Sequence, residues 1–161
     1  MGEKDIVVGI AELKTARDPD RMVAYGLGSC VGVTLYDRIH KVGGMAHVML
    51  PSSRMHSTVS IPGKYADTGI EALCSALIGE GSNSKFLEAK LVGGANMFVS
   101  IAQQAVPVGT RNLSAVREKL REKGIPIKGE DVGGIQGRTI FFTLSDGKVE
   151  IRKLNQPNSW I

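Results

Sequence analysis

The chain has 161 residues, 42% hydrophobic and 22% charged, with 20 glycines and few aromatics, the balance of one globular domain over residues 1–161 with a buried core rather than a disordered or fibrous chain. The net charge of +4 is dispersed among acids, as in Arg117-Glu118-Lys119-Leu120-Arg121-Glu122-Lys123, which argues against a nucleic-acid stripe. Two cysteines and three histidines give no disulfide framework and no zinc-ligand spacing, and no apolar run is long enough to span a bilayer.

The charged start, Met1-Gly2-Glu3-Lys4-Asp5, lacks the apolar stretch of a leader. The expectation is a cytoplasmic protein with reduced thiols, no cofactor, no metal and no membrane insertion. Residues 5–11 are rich in Val and Ile and predict a strand, followed by a polar link through Arg17-Asp18-Pro19-Asp20. Residues 21–25 predict a short strand running into a Gly26-Leu27-Gly28-Ser29 turn. Residues 31–36 and 42–50 predict the arms of a β-hairpin closed by Asp37-Arg38-Ile39-His40. Residues 51–62 are Ser-rich without periodicity, as in an exposed loop.

From Tyr65 the period changes. Ile70, Leu73, Cys74, Leu77 and Ile78 share one face of a helix over 65–78, which Gly79 and Gly81 end. Residues 87–92 predict a strand closed by Gly93-Gly94, and 96–104 a short helix. Asn112 is placed as the cap of a further helix whose Leu113, Val116 and Leu120 face the core and which Gly124 terminates. Residues 125–127, 139–144 and 149–154 predict strands, the last two joined by a Ser145-Asp146-Gly147-Lys148 turn. About eight strands and two or three helices, with sequence-adjacent strands at both ends, predict an α/β fold of mixed, largely antiparallel sheets with helices packed outside.

The hairpin carries the chemistry. A turn centred between Arg38 and Ile39 sets Tyr36 opposite Lys41, Thr34 opposite Gly43 and Cys30 opposite His47. Opposed residues share a face, with β-carbons about 4.5–5.5 Å apart, provided the register holds. Cys30 also follows a Gly-x-Gly-Ser turn able to aim N–H groups at an oxyanion, and it starts a strand, at its edge. An adjacent imidazolium lowers a thiol's pKa and supplies a proton to a leaving amine, which suits acyl transfer from an amide or ester through a thioester. Cys74, on an apolar helix face, reads as a core filler. His47, among Met45, Ala46, Val48 and Met49, reads either as the partner of Cys30 or as a hydrogen-bonded core histidine. His40 and His56 read as exposed. The glycine-rich turn lacks a P-loop lysine and leads into a strand, which argues against nucleotide binding.

The blocks Gly26-Leu27-Gly28-Ser29-Cys30-Val31, Gly44-Met45-Ala46-His47-Val48-Met49-Leu50-Pro51 and Lys64-Tyr65-Ala66-Asp67-Thr68 closely resemble the CheD family of chemotaxis receptor glutamine deamidases. The likeness runs on through Gly93-Gly94-Ala95-Asn96-Met97-Phe98, Gly109-Thr110-Arg111-Asn112 and Gly133-Gly134 with Gly137-Arg138, in order over nearly the whole chain. It implies an α/β sandwich related to deamidating bacterial toxins. It implies a cysteine hydrolase that converts receptor glutamines to glutamates through a thioester, releasing ammonia, so that the new carboxylates can be methylated. Cys30 falls on the family nucleophile and His47 on its general base. The partners it implies are the cytoplasmic domains of methyl-accepting receptors, a CheC-type phosphatase and, in archaea, adaptors of the motility motor. The family's Thr six residues before the cysteine is Ala24 here, so a backbone carbonyl, a water, Ser29 or Thr34 is expected to orient the imidazole. The alternative is a regulatory module that docks a CheC-type phosphatase or a motility adaptor with weak or no catalysis. Deamidation of a soluble protein is a third reading.

Overall fold

In the computed structural model, which describes residues 2–54, 58–98 and 105–161, every residue of strands β4 (Val31–Asp37) and β5 (Val42–Val48) is buried. A hairpin apolar on both faces needs a cover on each, and the rest of the chain supplies the two covers. One is a second sheet. The other is a helical layer.

The first strands are β1 (Asp5–Val7), β2 (Leu13–Arg17) and β3 (Arg21–Leu27). After the hairpin come α1 (Ala66–Gly79), β6 (Leu87–Gly93), α2 (Val108–Glu122), β7 (Ile127–Val132), β8 (Arg138–Thr143), β9 (Val149–Arg152) and β10 (Ser159–Trp160). Two five-stranded mixed sheets form, ordered β1-β3-β8-β9-β10 and β2-β5-β4-β6-β7. All neighbours are antiparallel except β1 with β3 and β6 with β7. The architecture is the expected α/β sandwich of mixed sheets with outer helices.

Strand alternation sorts the hairpin's side chains between two cores. Val31, Val33, Leu35, Ala46 and Val48 pack with Ile70, Leu73, Cys74 and Leu77 of α1 and with Leu113, Val116 and Leu120 of α2. Tyr36 and Met45 face the other way, against Met22, Leu27, Ile140 and Phe142 of the first sheet. Gly44 is where the helical layer comes closest. A β-carbon there would stand 2.6 Å from Leu73 Cδ1 and 2.8 Å from the Lys14 carbonyl oxygen. No helix among the described residues is long and apolar enough to cross a membrane.

Several expected bounds shift. The strand read over 5–11 ends at Val7, and Leu13–Arg17, read as part of a polar link, is an edge strand on β5. Residues 96–98 are not helical, and 99–104, like His56, lie outside the described residues. The second helix begins at Val108 behind Pro107 and has no side-chain cap. Asn112 therefore sits one turn inside it and serves another purpose. The strand expected over 125–127 runs over Ile127–Val132, and β10 is an addition.

Candidate active site

The hairpin register differs from expectation by two residues. Tyr36 lies opposite Gly43, Gly32 opposite His47 and Val31 opposite Val48, after which the ladder ends. The cause is the turn. The buried Asp37 carboxylate accepts the N–H groups of Ile39 and His40, each at 3.0 Å. Asp37 thus becomes the last paired residue, opposite Val42, and Lys41 takes φ 55 to close the loop. Carried one step past the ladder, Cys30 faces Met49 and stands diagonal to His47. A shift of two preserves the face, so thiol and imidazole remain on the same side, toward the first sheet. Cys30 immediately precedes the first residue of β4, the central strand of its sheet, and so stands at the start of the strand as expected, not in its middle.

His47 is 1% exposed and is held by the loop between β1 and β2. Its N–H donates to the Glu12 carbonyl at 2.9 Å, and its own carbonyl accepts the Ala11 N–H at 3.0 Å. The ring's Nδ1 lies 3.2 Å from the Val8 carbonyl oxygen. A carbonyl only accepts, so Nδ1 carries the proton and Nε2 is the free lone pair. Nε2 is buried and has no partner among the described residues. Of the substitutes open for the missing hydroxyl at Ala24, the backbone carbonyl of Val8 is the one in place. Ala24 is itself fully buried in the inter-sheet core.

Burial sets the charge states. It pushes the His47 imidazole below its ordinary value, against the Val8 carbonyl and the Glu12 charge, which favour the proton. Burial also pushes the Cys30 thiol up, offset in part by its own backbone N–H. Both shifts favour the neutral forms, a thiol and an imidazole whose Nε2 lone pair is unspent. Cys74 lies on the opposite face of the sheet, 3% exposed in the helical core, where burial raises its thiol as well.

The turn that carries Cys30 crosses from one sheet to the other. Its three successive carbonyls are all committed. Gly28 accepts from Ala95 N at 2.9 Å, Ser29 from Asn112 Nδ2 at 2.9 Å and Cys30 from Gly94 N at 2.9 Å. The N–H groups of Gly28 and Ser29 have no hydrogen bond among the described residues, and that of Cys30 faces its own sulfur. Gly93, at φ 113, permits the close approach, because a β-carbon there would collide with the Cys30 carbonyl. With the three carbonyls committed, the N–H groups of Gly28 and Ser29 are left available to negative charge.

The surroundings are apolar and exposed. Met97 packs over Gly28, where a β-carbon would lie 3.0 Å from its sulfur. Met49, Met97, Phe98 and Ile135 all show large exposed fractions. Ile135 stands on the 133–137 loop, which is pinned by Arg138: its Nη1 donates to the Gly133 carbonyl at 2.8 Å and its Nη2 lies 3.0 Å from Asp131 Oδ1. Among the described residues no group of three or more His, Cys, Asp or Glu side chains is placed to hold a metal ion.

Sequence reasoning missed two contributors. Val8 acts through its backbone, which leaves no side-chain signature. Asn112 did leave one: a polar residue on the stripe that also carries Gly109, Leu113, Val116 and Leu120, where a cap has no reason to be buried.

The profile of the family described as CheD chemotactic sensory transduction matches residues 49–153. Among curated proteins, the probable chemoreceptor glutamine deamidase CheD of Clostridium novyi is 46% identical over 153 residues, covering 94% of each chain. The protein of the same name from Clostridium tetani is 46% identical over 153 residues, 94% of this chain and 93% of its own. That of Thermococcus kodakarensis is 42% identical over 151 residues, 94% of each. These alignments are long enough to include both Cys30 and His47.

Proposed function

The chain belongs to the CheD family, and from that premise we propose that it is a chemoreceptor glutamine deamidase in which Cys30 is the nucleophile and His47 the general base. The observation that carries the reading is the buried imidazole with Nδ1 spent on Val8 and Nε2 unspent, on the same face as a thiol at the mouth of the strands.

When a glutamine side chain enters, Nε2 of neutral His47 takes the Cys30 proton as sulfur bonds to the amide carbon. The carbonyl oxygen becomes an oxyanion met by the free N–H groups of Gly28 and Ser29, and by that of Cys30 once its sulfur has bonded to the substrate. The imidazolium returns its proton to the amide nitrogen, the C–N bond breaks and ammonia leaves, giving a Cys30 thioester. Water, deprotonated by the again neutral His47, attacks that carbonyl, and the thiolate leaves with the imidazolium's proton. The products are a glutamate side chain and the resting thiol. Starting from two neutral groups avoids holding a charge pair in a desolvated pocket.

The substrates of this reading are the cytoplasmic domains of chemotaxis receptors, which places the protein in the cytoplasm. The exposed apolar rim of Met49, Met97, Phe98 and Ile135 also favours a second reading, a regulatory module that docks a CheC-type phosphatase or a motility adaptor, and the two are separable. Purified protein incubated with receptor cytoplasmic fragments and read by mass spectrometry is expected to convert particular glutamines to glutamates. No conversion on any fragment, with phosphatase or adaptor binding retained in Cys30→Ala, would favour the docking module.

A further inference from the structure

Asn112 occupies the place where the next rung of the β4–β5 ladder would stand. The ladder stops at Val31 opposite Val48. Beyond it the chain flares: the 28–30 turn is tied by its carbonyls to the end of β6, while the N–H groups of Met49 and Leu50 both donate to the Lys64 carbonyl, at 3.0 and 2.9 Å. The Asn112 amide bridges the gap. Its Nδ2 donates to the Ser29 carbonyl at 2.9 Å and to the Met49 carbonyl at 3.0 Å. One acceptor immediately precedes Cys30, and the other lies two residues after His47. Among the described residues no other hydrogen bond ties the 28–30 turn to residues 49–50.

The amide is suited to this place by chemistry and by support. Two carbonyl acceptors on separate segments call for two N–H donors on one atom, which a carboxylate of the same size lacks. The side chain is wholly buried, and its Oδ1 has no partner among the described residues, so its two donor bonds are its entire polar return. The helix that carries it is locked in position. A β-carbon at Gly109 would collide with the Ala95 carbonyl, and Asn96 Nδ2 donates to Thr110 Oγ1 at 3.0 Å. Gly94 and Ala95, which hold the Cys30 and Gly28 carbonyls, therefore pack directly on the first turn of α2.

We propose that Asn112 is a positioning residue that fastens the Cys30 turn to the His47 strand and so sets the thiol–imidazole geometry. Its effect on turnover rests on the deamidase reading above; its effect on the thiol does not. Misplacement by about 1 Å costs about 10²-fold in a positioned reaction.

The test uses Asn112→Asp and Asn112→Ser, the second keeping one donor should the first fail to fold. At neutral pH the iodoacetamide rate at Cys30 is expected to fall about tenfold in Asn112→Asp, to the level of His47→Ala, and less in Asn112→Ser. Adding Asn112→Ser to His47→Ala is expected to slow labelling no further, because the geometry it sets is already unused. On a receptor fragment kcat is expected to fall about 10²-fold with KM nearly unchanged. Wild-type labelling in the folded variants, or effects that multiply with His47→Ala, would overturn the proposal and leave Asn112 a packing residue. Absence of turnover in the wild type would overturn the deamidase reading instead, and the labelling arms would still decide the role of Asn112.

Discussion

The two ends of the β4–β5 hairpin each bury a titratable side chain, and they treat it in opposite ways. At the turn, Asp37 accepts from the N–H of Ile39 and His40, the His40 imidazole, the Ser82 hydroxyl and the Asn83 N–H, at 2.8–3.1 Å. Burial pushes its carboxyl up, but the bonds from His40, Ser82 and Asn83 together outweigh it and hold it down to about 2. At the open end, His47 has one ring nitrogen satisfied and the other without a partner among the described residues, and the Gly28 and Ser29 N–H groups of the Cys30 turn likewise have none there. A buried polar group with every bond made is a fastening. One left incomplete is open to a ligand that completes it. Of the buried side-chain atoms without a partner among the described residues, His47 Nε2 is the one on a titratable ring, the others being the amide oxygens of Asn96 and Asn112. On this contrast the turn end stabilises and the open end reacts.

The contrast is broken most severely through His47. His47→Ala is expected to lower deamidation about 10²–10⁴-fold, the usual contribution of a positioned general base, while circular dichroism and thermal melting stay close to wild type. A loss of folding comparable to the loss of activity would make His47 a core histidine.

Asp37→Asn is expected to do the reverse. It replaces an acceptor of charge-assisted bonds and should cost about 2–3 kcal/mol by urea unfolding at neutral pH. It should leave kcat of the folded protein unchanged. The acid limb gives the sign. The folded carboxyl sits near 2 against about 3.9 unfolded. Its contribution, about 2.5 kcal/mol, is complete above about pH 4 and lost as pH falls toward 2. The gap between wild type and variant should therefore close over that window; a gap that stays constant would mean that the network does not hold the charge.

Thiol labelling sharpens the same comparison. With Cys30 raised and His47 depressed, labelling at Cys30 should keep climbing above neutral pH instead of reaching a plateau in mild acid. Wild type should exceed His47→Ala about tenfold near pH 7, and the two should converge in alkali, where the thiol ionises unaided. A plateau below pH 6 would establish a resting ion pair. The smallest effect belongs to Ala24→Thr. The Val8 carbonyl already orients the ring, so turnover should change less than about threefold, and the extra atoms in the inter-sheet core should cost about 1–2 kcal/mol. A large gain in turnover would show that Val8 orients the imidazole poorly.

Much of this was legible before the fold was seen. Alternation in 31–36 and 42–50 gave the hairpin, and the face shared by Cys30 and His47 survived a register error because side chains repeat every second residue. The error itself lay with Asp37, since capping by a side chain can move the closing pair without changing the turn's composition. Leu13–Arg17 escaped notice because an edge strand with three polar residues has little apolar pattern to read. Val8 contributes a carbonyl that any residue would carry. Asn112 resembled a cap because Asn favours caps, and only its burial beside the Cys30 turn exposed the difference.

The most direct test of a reactive open end compares Cys30→Ala with Cys74→Ala on one receptor fragment, reading glutamine-to-glutamate conversion by mass spectrometry. Burial raises both thiols, Cys30 partly buried and Cys74 fully, but they lie on opposite faces of one sheet. Only Cys30 shares its face with His47 and belongs to the turn with the free donors. The expected result is conversion in Cys74→Ala at the wild-type rate and none in Cys30→Ala. Conversion that persists in Cys30→Ala, or that disappears in a folded Cys74→Ala, would contradict it.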